Sequence, residues 1–218
     1  MRQTTLTLLA LCCAATLAWA ADAWVGNGVT RDGWLILFDG TEMNGWAHTG
    51  GGAFKINPED RSMETVGKTG VTFYYDRKFK DFRLQLEWRT SHRASNSGVF
   101  IRFPNLPRIT FKDGKKRNGY LDAAGTGYEV QIFDPGPPDH RTGTFIPGGP
   151  CEKKAWKDVG KWNRMEVTAR GQMYTVSVNG VLVNEFKGDR ATEGYIGVQN
   201  HDLDTKTYFR NIRIQELK

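Results

Sequence analysis

The sequence predicts an all-β fold made of short strands, with no long helix. Three features lead to this prediction: short runs in which apolar and polar residues alternate, frequent turn residues between the runs, and the absence of helical periodicity. Glycine accounts for 25 of the 218 residues, and aromatic side chains make up 12% of the chain. Regularly spaced short strands with turn signals between them are typical of a β-sandwich or a β-barrel.

Seven alternating segments predict strands in the second part of the chain. Residues 81–89, for example, carry apolar side chains at every second position, with Arg, Gln and Glu between them. Residues 173–186 predict a hairpin, because Asn179-Gly180 suits a two-residue turn. The other predicted strands are 97–103, 127–133, 163–170, 195–201 and 208–217.

The first twenty residues, MRQTTLTLLALCCAATLAWA, predict a secretory signal peptide. Arg2 precedes an apolar run, and Ala18-Trp19-Ala20 has the small-x-small pattern of a cleavage site. The run is too short to span a bilayer. A lipoprotein is disfavoured, because Leu11 precedes the cysteine pair where a small residue is expected. We therefore expect cleavage near Ala20 and a single exported domain, residues 21–218, in the periplasm or outside the cell.

Charge and cysteine content exclude several classes of function. The net charge is +6, but the basic cluster KDGKKR (112–117) has no interleaved aromatic residues and no nucleic-acid motif. We expect neither a nucleic-acid partner nor membrane insertion, and interpret the cluster as a solvated loop. Cys151 is the only cysteine after the signal peptide, and its segment GGPCEKK holds no histidine. A structural role for this thiol is favoured over a catalytic one.

The segment GYEVQIFD (127–134) differs from an ordinary strand. Tyr128, Val130 and Ile132 fall on one face, while an acid and an amide, Glu129 and Gln131, occupy the other. Two long loops, about 104–126 and 134–160, flank the segment and hold seven of the eight prolines. Long loops of this kind are often functional. The segment is therefore a candidate for the floor of a ligand groove.

Polar residues on the second faces of the other strands extend this candidate surface. If the strands share one sheet, the surface combines acids, amides, a guanidinium group and an imidazole, which suit a hydroxyl-rich ligand. Two ordinary explanations remain open: Glu87 and Arg102 form a cross-strand ion pair, or Gln199 and His201 cap backbone groups. The full candidate set is Glu87, Asn96, Arg102, Glu129, Gln131, Gln199 and His201.

An ordered set of motifs resembles a known family. The motifs are LFDG (37–40), GW (45–46), SNSGVFIR (95–102), GYEVQIFD (127–134), GKWNRMEV (160–167), NG (179–180), YIGVQNHD (195–202) and FRNIRIQEL (209–217). Together they resemble the 3-keto-disaccharide hydrolase family, first described as a domain of unknown function, over about residues 33–218. The QNHD segment departs from the family pattern, in which a glycine often follows the histidine.

The resemblance implies a concanavalin A-like jelly roll: two antiparallel sheets, one of them concave and open to ligand. It also implies a small carbohydrate substrate, a glycoside oxidised to a ketone at C3. Such a ketone acidifies the hydrogen on C2, so that a base can form an enolate, the C1 substituent can leave, and water can add back. This route needs a base, a group that stabilises the enolate oxygen, and an acid for the leaving group.

The candidate residues suit these roles. Glu129 is the expected base, and His201 is the second candidate for the base or the acid for the leaving group. Arg102 and Gln131 are expected to hold the C3 oxygen or nearby hydroxyls, oriented by Glu87 and Gln199, and Asn96 is expected to contact the ligand or form a bulge.

No cofactor is required by this scheme. A divalent metal bound by Glu87, Glu129 and His201 remains open, although no close ligand motif supports it.

Two other function classes agree with part of the pattern. A non-catalytic carbohydrate-binding module has the same fold and polar face but needs neither a base nor an imidazole. An ordinary glycan hydrolase on a jelly roll normally carries two acids close together on one strand. Glu129 and Asp134 are five residues apart, which places them on opposite faces of a regular strand and disfavours this class.

Overall fold

The computed structural model describes residues 28–30, 32–106, 111–112, 115–116 and 119–218, with the backbone alone at 111–112 and 115–116. The expected signal peptide and its cleavage site near Ala20 lie outside these residues, as does part of the basic cluster 112–117. Within the described part of the chain, no helix is both long enough and apolar enough to cross a membrane.

Strands make up nearly all of the regular structure. In chain order, the elements are β1 (Leu35–Phe38), β2 (Trp46–Gly50), β3 (Ala53–Asn57), β4 (Ser62–Val66), β5 (Gly70–Phe79), β6 (Phe82–Thr90), β7 (Ser97–Phe103), β8 (Phe111–Lys112), β9 (Lys115–Lys116), α1 (Tyr120–Thr126), β10 (Tyr128–Ile132), β11 (Phe145–Ile146), β12 (Asn163–Arg170), β13 (Met173–Val178), β14 (Val181–Lys187), β15 (Gly194–Asn200) and β16 (Thr207–Glu216).

Two antiparallel sheets form a sandwich, as predicted. The eight-stranded sheet has the order β14-β13-β12-β6-β16-β4-β3, with β1 paired to β16. The six-stranded sheet has the order β11-β10-β7-β15-β5-β2. Strands β6 and β7, and likewise β15 and β16, are consecutive in the chain but lie in different sheets. The chain therefore crosses repeatedly between the two layers, as in a jelly roll.

The main core lies between the two sheets and uses one face of each alternating strand. From β10 it takes Tyr128, Val130 and Ile132, all at most 1% exposed, as the alternation predicts. Facing side chains from β6 include Leu86 and Trp88, both fully buried. Burying this apolar surface is the main stabilising contribution to the fold.

A second apolar cluster covers the outer face of the six-stranded sheet. It consists of Val71, Phe73, Phe100, Phe103 and Ala123, with Tyr120 and Tyr195 packed against it. Ala123 and Tyr120 belong to α1, so this helix packs on the sheet from outside. We call this outer face, with α1 upon it, the site face.

The strands before residue 81 were not among the predicted ones. In β5, the first five residues are all buried, because one face meets the main core and the other meets the second cluster. A strand buried on both faces loses its polar alternation and with it the sequence signal.

The Asn179-Gly180 turn is confirmed: both residues have positive φ, 50° and 84°.

Candidate functional site

Glu129 lies on the site face and folds over Gly98 of the neighbouring strand. A Cβ atom placed on Gly98 would lie 2.1 Å from Glu129 Oε1 and 2.7 Å from its Cγ. The carboxyl group therefore occupies the space that a side chain at position 98 would fill. Only 5% of Glu129 is exposed. The absence of a side chain at position 98 is what allows this acid to lie flat and buried on the sheet.

Two glutamines flank Gly98 on the same rung of the sheet. Gln131 of β10 pairs directly with Gly98. On the other side, Val198 pairs with Val99, so the register places Gln199 of β15 beside Gly98. Both amides are buried, at 6% and 2% exposed. The Glu129 carboxyl group thus lies between two carboxamides contributed by the strands on either side of β7.

Tyr120 of α1 completes the group from above the sheet. Its ring meets Phe100 edge-on, with 5.5 Å between ring centroids. Its hydroxyl oxygen accepts a hydrogen bond of 3.1 Å from Gln199 Nε2. Since Glu129 pairs with Phe100 across the strands, the phenol is brought to the same part of the site face as the acid. The helix therefore adds a hydroxyl group to a site whose other members come from the sheet.

Several buried oxygen atoms at this face have no hydrogen-bond partner among the described residues. They include Glu129 Oε1, Gln199 Oε1, Asn96 Oδ1 and Thr49 Oγ1. Buried polar atoms in folded proteins are nearly always satisfied, so unpaired ones require an explanation. All four can accept hydrogen bonds, and ligand hydroxyl groups supply donors. The pattern is that of a site prepared for a polyhydroxylated ligand.

Burial dominates the electrostatics of the site. It raises the pKa of Glu129 to about 8, because the charged carboxylate is removed from water. Burial also raises the pKa of Tyr120 to about 12, with a further contribution from the nearby Glu129 charge, while the Gln199 hydrogen bond opposes the shift. A buried carboxyl group and a partly buried phenol with well-separated pKa values therefore share this face.

His201 lies at the edge of the site rather than beside Glu129. It follows the last residue of β15; its rung is four strand positions from that of the Glu129 backbone, but only two positions, roughly 7 Å, from the Gly98 rung over which the carboxyl group lies. Its side chain is 42% exposed, and Nδ1 lies 2.8 Å from Asp202 Oδ1. The same Asp202 accepts a hydrogen bond of 2.6 Å from the Asn96 backbone. Asp202 thus orients His201 and ties it to the start of β7.

The expectation that Arg102 belongs to this surface is wrong. The residue has a φ of 53°, and the pairing of β7 with β15 shifts register at this point. This bulge reverses the side-chain alternation, so Phe103 joins Phe100 on the site face and Arg102 turns into the protein. The guanidinium group is fully buried and lies 2.9 Å from Asp81 Oδ1 and 2.8 Å from the Tyr174 hydroxyl group.

Glu87 is also misplaced in the prediction, because β6 belongs to the other sheet. Its carboxylate lies 2.6 Å from Arg210 Nε on the outer face of the eight-stranded sheet. Glu87 does form an ordinary cross-strand ion pair, the alternative left open above, but its partner is Arg210 and not Arg102.

A metal held jointly by Glu87, Glu129 and His201 is excluded by this placement of Glu87. Among the described residues, no three His, Cys, Asp or Glu side chains cluster as metal ligands.

Asp134 does not pair with Glu129. It accepts a hydrogen bond of 2.6 Å from the Thr142 hydroxyl group, and burial raises its pKa. It borders a cleft of about 420 Å³ beyond the end of β10, lined by Arg93, Asp134, Lys154, Trp156, Lys157, Asp158 and Val159. Glu129 is not part of this lining. The two acids therefore serve different surfaces, which agrees with their predicted separation.

Cys151 is buried, and its Sγ donates a hydrogen bond of 3.2 Å to the Lys153 carbonyl oxygen. Burial raises the pKa of the thiol, which disfavours the reactive thiolate. The placement fits the structural role that was expected.

Sequence reasoning missed two members of the site, Tyr120 and Gly98. Tyr120 follows a basic segment inside a long loop, and nothing in its neighbourhood predicts a helix that packs on the sheet. Gly98 falls in the same phase as Phe100, which places it on the site face, but a glycine in a strand commonly marks a bulge or a close approach. Only the structure shows that the approaching group is the Glu129 carboxyl.

Comparison with known proteins gives consistent results. A curated relative from Bacteroides thetaiotaomicron, named 3-keto-disaccharide hydrolase, is 27% identical over 243 residues, covering 87% of this chain and 80% of the relative. A crystal structure from Parabacteroides distasonis, provisionally named a glycosyl hydrolase, superposes with a TM-score of 0.66 at 19% identity, covering 86% of this chain and 95% of that one.

A more distant fold match is the carbohydrate-binding module CBM66 from Bacillus subtilis. Its TM-score is 0.53 at 16% identity, with 79% of this chain and 96% of the module covered. At such identities, the two structural matches establish the jelly-roll fold alone. The sequence itself goes further, because residues 33–215 match the family described as the 3-keto-alpha-glucoside-1,2-lyase-like domain. The chain belongs to this family.

Proposed function

We propose that the protein cleaves 3-keto-glycosides by removing the proton on C2, eliminating the C1 substituent and adding water. The observation that carries the proposal is the buried Glu129 carboxyl group, whose Oε1 has no partner among the described residues and which lies between two amides. The name of the Bacteroides thetaiotaomicron relative and the description of the family support the substrate class.

Glu129 is the proposed base. A carboxylate with an ordinary pKa is a weak base toward a C–H bond, and burial makes this one stronger by raising its pKa to about 8. No ion pair or side-chain hydrogen bond to another described residue holds its proton-accepting oxygen. The carboxyl group therefore has the burial and the unoccupied lone pairs that proton abstraction from C2 requires.

The two amides are the proposed contacts to the sugar. Gln131 Oε1 accepts a 3.1 Å hydrogen bond from the Ile132 backbone, which directs its amino group away from that contact. That group can donate to the C3 oxygen, where negative charge develops in the enolate. Gln199 Oε1 has no partner among the described residues and can accept from a sugar hydroxyl group. We assign enolate stabilisation to Gln131 and substrate orientation to Gln199.

His201 and Asn96 are proposed as contacts at the edge of the site. His201 lies two strand positions, roughly 7 Å, from the Gly98 rung over which the Glu129 carboxyl group lies, which suits it to a part of the substrate next to C2. Its exposed ring and its Asp202 partner fit a binding role. We therefore keep Glu129 as the base and rank His201 below it.

The test uses purified protein and a pair of substrates, a 3-keto-glucoside and its unoxidised parent, with products followed by mass spectrometry. We expect cleavage of the keto compound alone. Glu129→Gln should lower kcat/KM by about 10² to 10⁴, the usual contribution of a general base. His201→Ala should cost much less. A parallel assay in EDTA tests for a metal requirement.

Two results would contradict the proposal. Full activity of Glu129→Gln would remove the base from the mechanism. Binding of sugars without cleavage of either compound would identify a carbohydrate-binding module. This alternative is supported by the fold match to the module CBM66.

The pH profile gives a second check on the base. The base form of Glu129 is the ionised one, so kcat/KM should rise with pH and level off above the free-enzyme pKa of about 8. An ordinary exposed glutamate would give a profile already flat at neutral pH.

A further inference from the structure

Elimination requires a proton donor for the departing C1 oxygen, and the proposed base does not supply it. Glu129 takes up the C2 proton when the enolate forms and keeps it for return to C2 in hydration, so it does not protonate the leaving oxygen. His201 lies at the edge of the site; Asp202 engages its Nδ1, and Nε2 is not part of that contact, so His201 is the competing candidate. A donor that contacts the group around Gly98 directly is better placed to reach the leaving oxygen.

Tyr120 lies at such a place. Its ring packs against Phe100, the residue that pairs with Glu129 across the strands, and its hydroxyl group reaches Gln199 on the opposite side of Gly98. The sheet contributes the base from below, and α1 contributes the phenol from outside. A sugar ring placed above the Glu129 carboxyl group would therefore meet the carboxyl from the β10 side and the phenol from the β15 side.

The hydrogen bond between Gln199 and Tyr120 fixes where the phenol hydroxyl group lies. Gln199 Nε2 donates and the Tyr120 oxygen accepts, at 3.1 Å. In this contact the phenol oxygen is the acceptor, so the contact itself does not use the phenolic proton. The ring is also held by packing: Tyr120 begins α1, and its ring lies against the second apolar cluster.

We propose that Tyr120 is the catalytic acid of this site and protonates the leaving group of a 3-keto-glycoside during elimination. The assignment rests on the proposed function and deepens it.

In the elimination step, the C2–H bond breaks and its proton passes to Glu129. The C2–H electron pair forms the enolate, whose negative charge lies on the C3 oxygen. As the enolate collapses, the C3 ketone re-forms and the C1–C2 double bond forms. The C1–O bond breaks, its electron pair stays on the departing oxygen, and that oxygen takes the Tyr120 proton. In hydration, the phenolate accepts a proton from water as the water oxygen bonds to C1, and Glu129 returns its proton to C2. Both residues recover their starting states, and no oxidant or reductant is needed.

The electrostatics of the pair suit these roles. Burial and the Glu129 charge raise the pKa of the phenol to about 12, so it remains protonated even in alkaline solution. A leaving alcohol becomes a strong base as its bond to C1 breaks, so a weak acid of this kind can protonate it. The phenolate formed is in turn basic enough to activate water.

The test compares Tyr120→Phe with wild type on two 3-keto-glucosides, one with an alkyl leaving group and one with 4-nitrophenol. The alkyl oxygen needs protonation, whereas nitrophenolate leaves without it. We expect Tyr120→Phe to lower kcat on the alkyl compound by about 10² or more, with little change on the nitrophenyl compound. A structural defect would lower both rates alike.

Tyr195→Phe is the matched control. Tyr195 packs against the same apolar cluster, with its ring 5.9 Å from Phe103, but it is not part of the group around Gly98. Its loss of a hydroxyl group should leave both rates unchanged.

If Tyr120→Phe folds poorly, 3,5-difluorotyrosine at position 120 replaces it. The ring is kept and the phenol is more acidic, so the alkaline limb of kcat on the alkyl compound should move to lower pH.

Equal losses on both compounds, full activity of Tyr120→Phe on the alkyl compound, or an unmoved alkaline limb would each overturn the assignment. These failures differ from failure of the proposed function, in which wild type cleaves neither 3-keto compound.

Discussion

At the scale of single residues, the site depends on a missing side chain. Glu129 can lie flat and buried only because position 98 has no Cβ atom. Gly98 does not have a positive φ, so the backbone does not require glycine there. Its role is to give space to the carboxyl group.

This geometry makes Gly98→Ala an informative variant. The added methyl group would lie 2.1 Å from Glu129 Oε1, so the flexible end of the glutamate must shift, while the sheet can stay intact. A displacement of about 1 Å in a catalytic group can cost on the order of 10² in rate. We expect kcat to fall by that order in a steady-state assay, with little change in the midpoint of thermal unfolding.

Gly125→Ala supplies the control for Gly98→Ala, because a Cβ added at position 125 of α1 meets no atom within 4 Å. An unchanged kcat in Gly98→Ala would show that the position of the carboxyl group does not matter for turnover.

At the scale of elements, Arg102 connects β7 to two turns of the other layer. Its guanidinium group donates to the Lys80 and Gly171 carbonyl oxygens, to Asp81 and to the Tyr174 hydroxyl group. The cation also lies over the Tyr174 ring, 5.0 Å from its centroid. A fully buried cation with this many partners is a structural link between strands and not a ligand contact.

Arg102→Leu should therefore destabilise the fold without changing the group of side chains around Gly98. Removing one partner of a buried ion pair costs about 3–5 kcal/mol, and we expect the lower end because Asp81 is 29% exposed. Arg210→Leu breaks the more exposed pair with Glu87 and should cost about 1 kcal/mol or less. Urea unfolding measures both, and equal costs for the two variants would refute the structural role of Arg102.

The contrast between Arg102 and Glu129 shows what alternation can predict. Both residues are polar and fall in the outward phase of neighbouring strands. The pattern holds for Glu129 because β10 is regular along its whole length. It fails for Arg102 because one residue with positive φ reverses the alternation. Bulges of this kind leave no clear periodic signal, so the strand was predictable and the direction of its last side chains was not.

The sequence also could not predict which of the two sheets each strand joins. Glu87 and Gln199 have the same pattern of polar residues among apolar neighbours, yet β6 and β15 lie in different sheets. Alternation assigns a side chain to the inner or outer face of a strand, but which sheet the strand joins depends on long-range pairing. The motif resemblance supplied the two-sheet fold, whereas the composition of each sheet came only from the structure.

At the scale of the whole molecule, the outer faces of the two sheets have different chemistry. The eight-stranded sheet carries partly exposed ion pairs such as Arg83 with Glu166 and Arg210 with Glu87. The six-stranded sheet carries an apolar cluster, a helix and the buried group around Gly98. The first face suits contact with water, and the second is the face on which we propose that the substrate binds. Keeping Glu129 buried on that second face has a cost for the stability of the entire fold.

That cost predicts a pH dependence of stability. The pKa of Glu129 is about 8 in the folded protein, against a model value of 4.5. Below the unfolded value, both states are protonated and the acid contributes no pH dependence. As pH rises from 4.5 toward 8, the unfolded chain releases this proton while the folded protein retains it. The free energy of unfolding should therefore fall across this window and level off above it.

Glu129→Gln isolates this effect, because glutamine has a similar shape and no proton to lose. The variant should be more stable than wild type at pH 8, and the difference should shrink steadily toward pH 4.5. Other shifted acids, such as Glu64 and Asp134, are present in both proteins and cancel in the comparison. Thermal unfolding from pH 4.5 to 9 measures the difference. A constant difference across that range would mean that Glu129 ionises normally in the fold, and the raised pKa on which its role as a base depends would be lost.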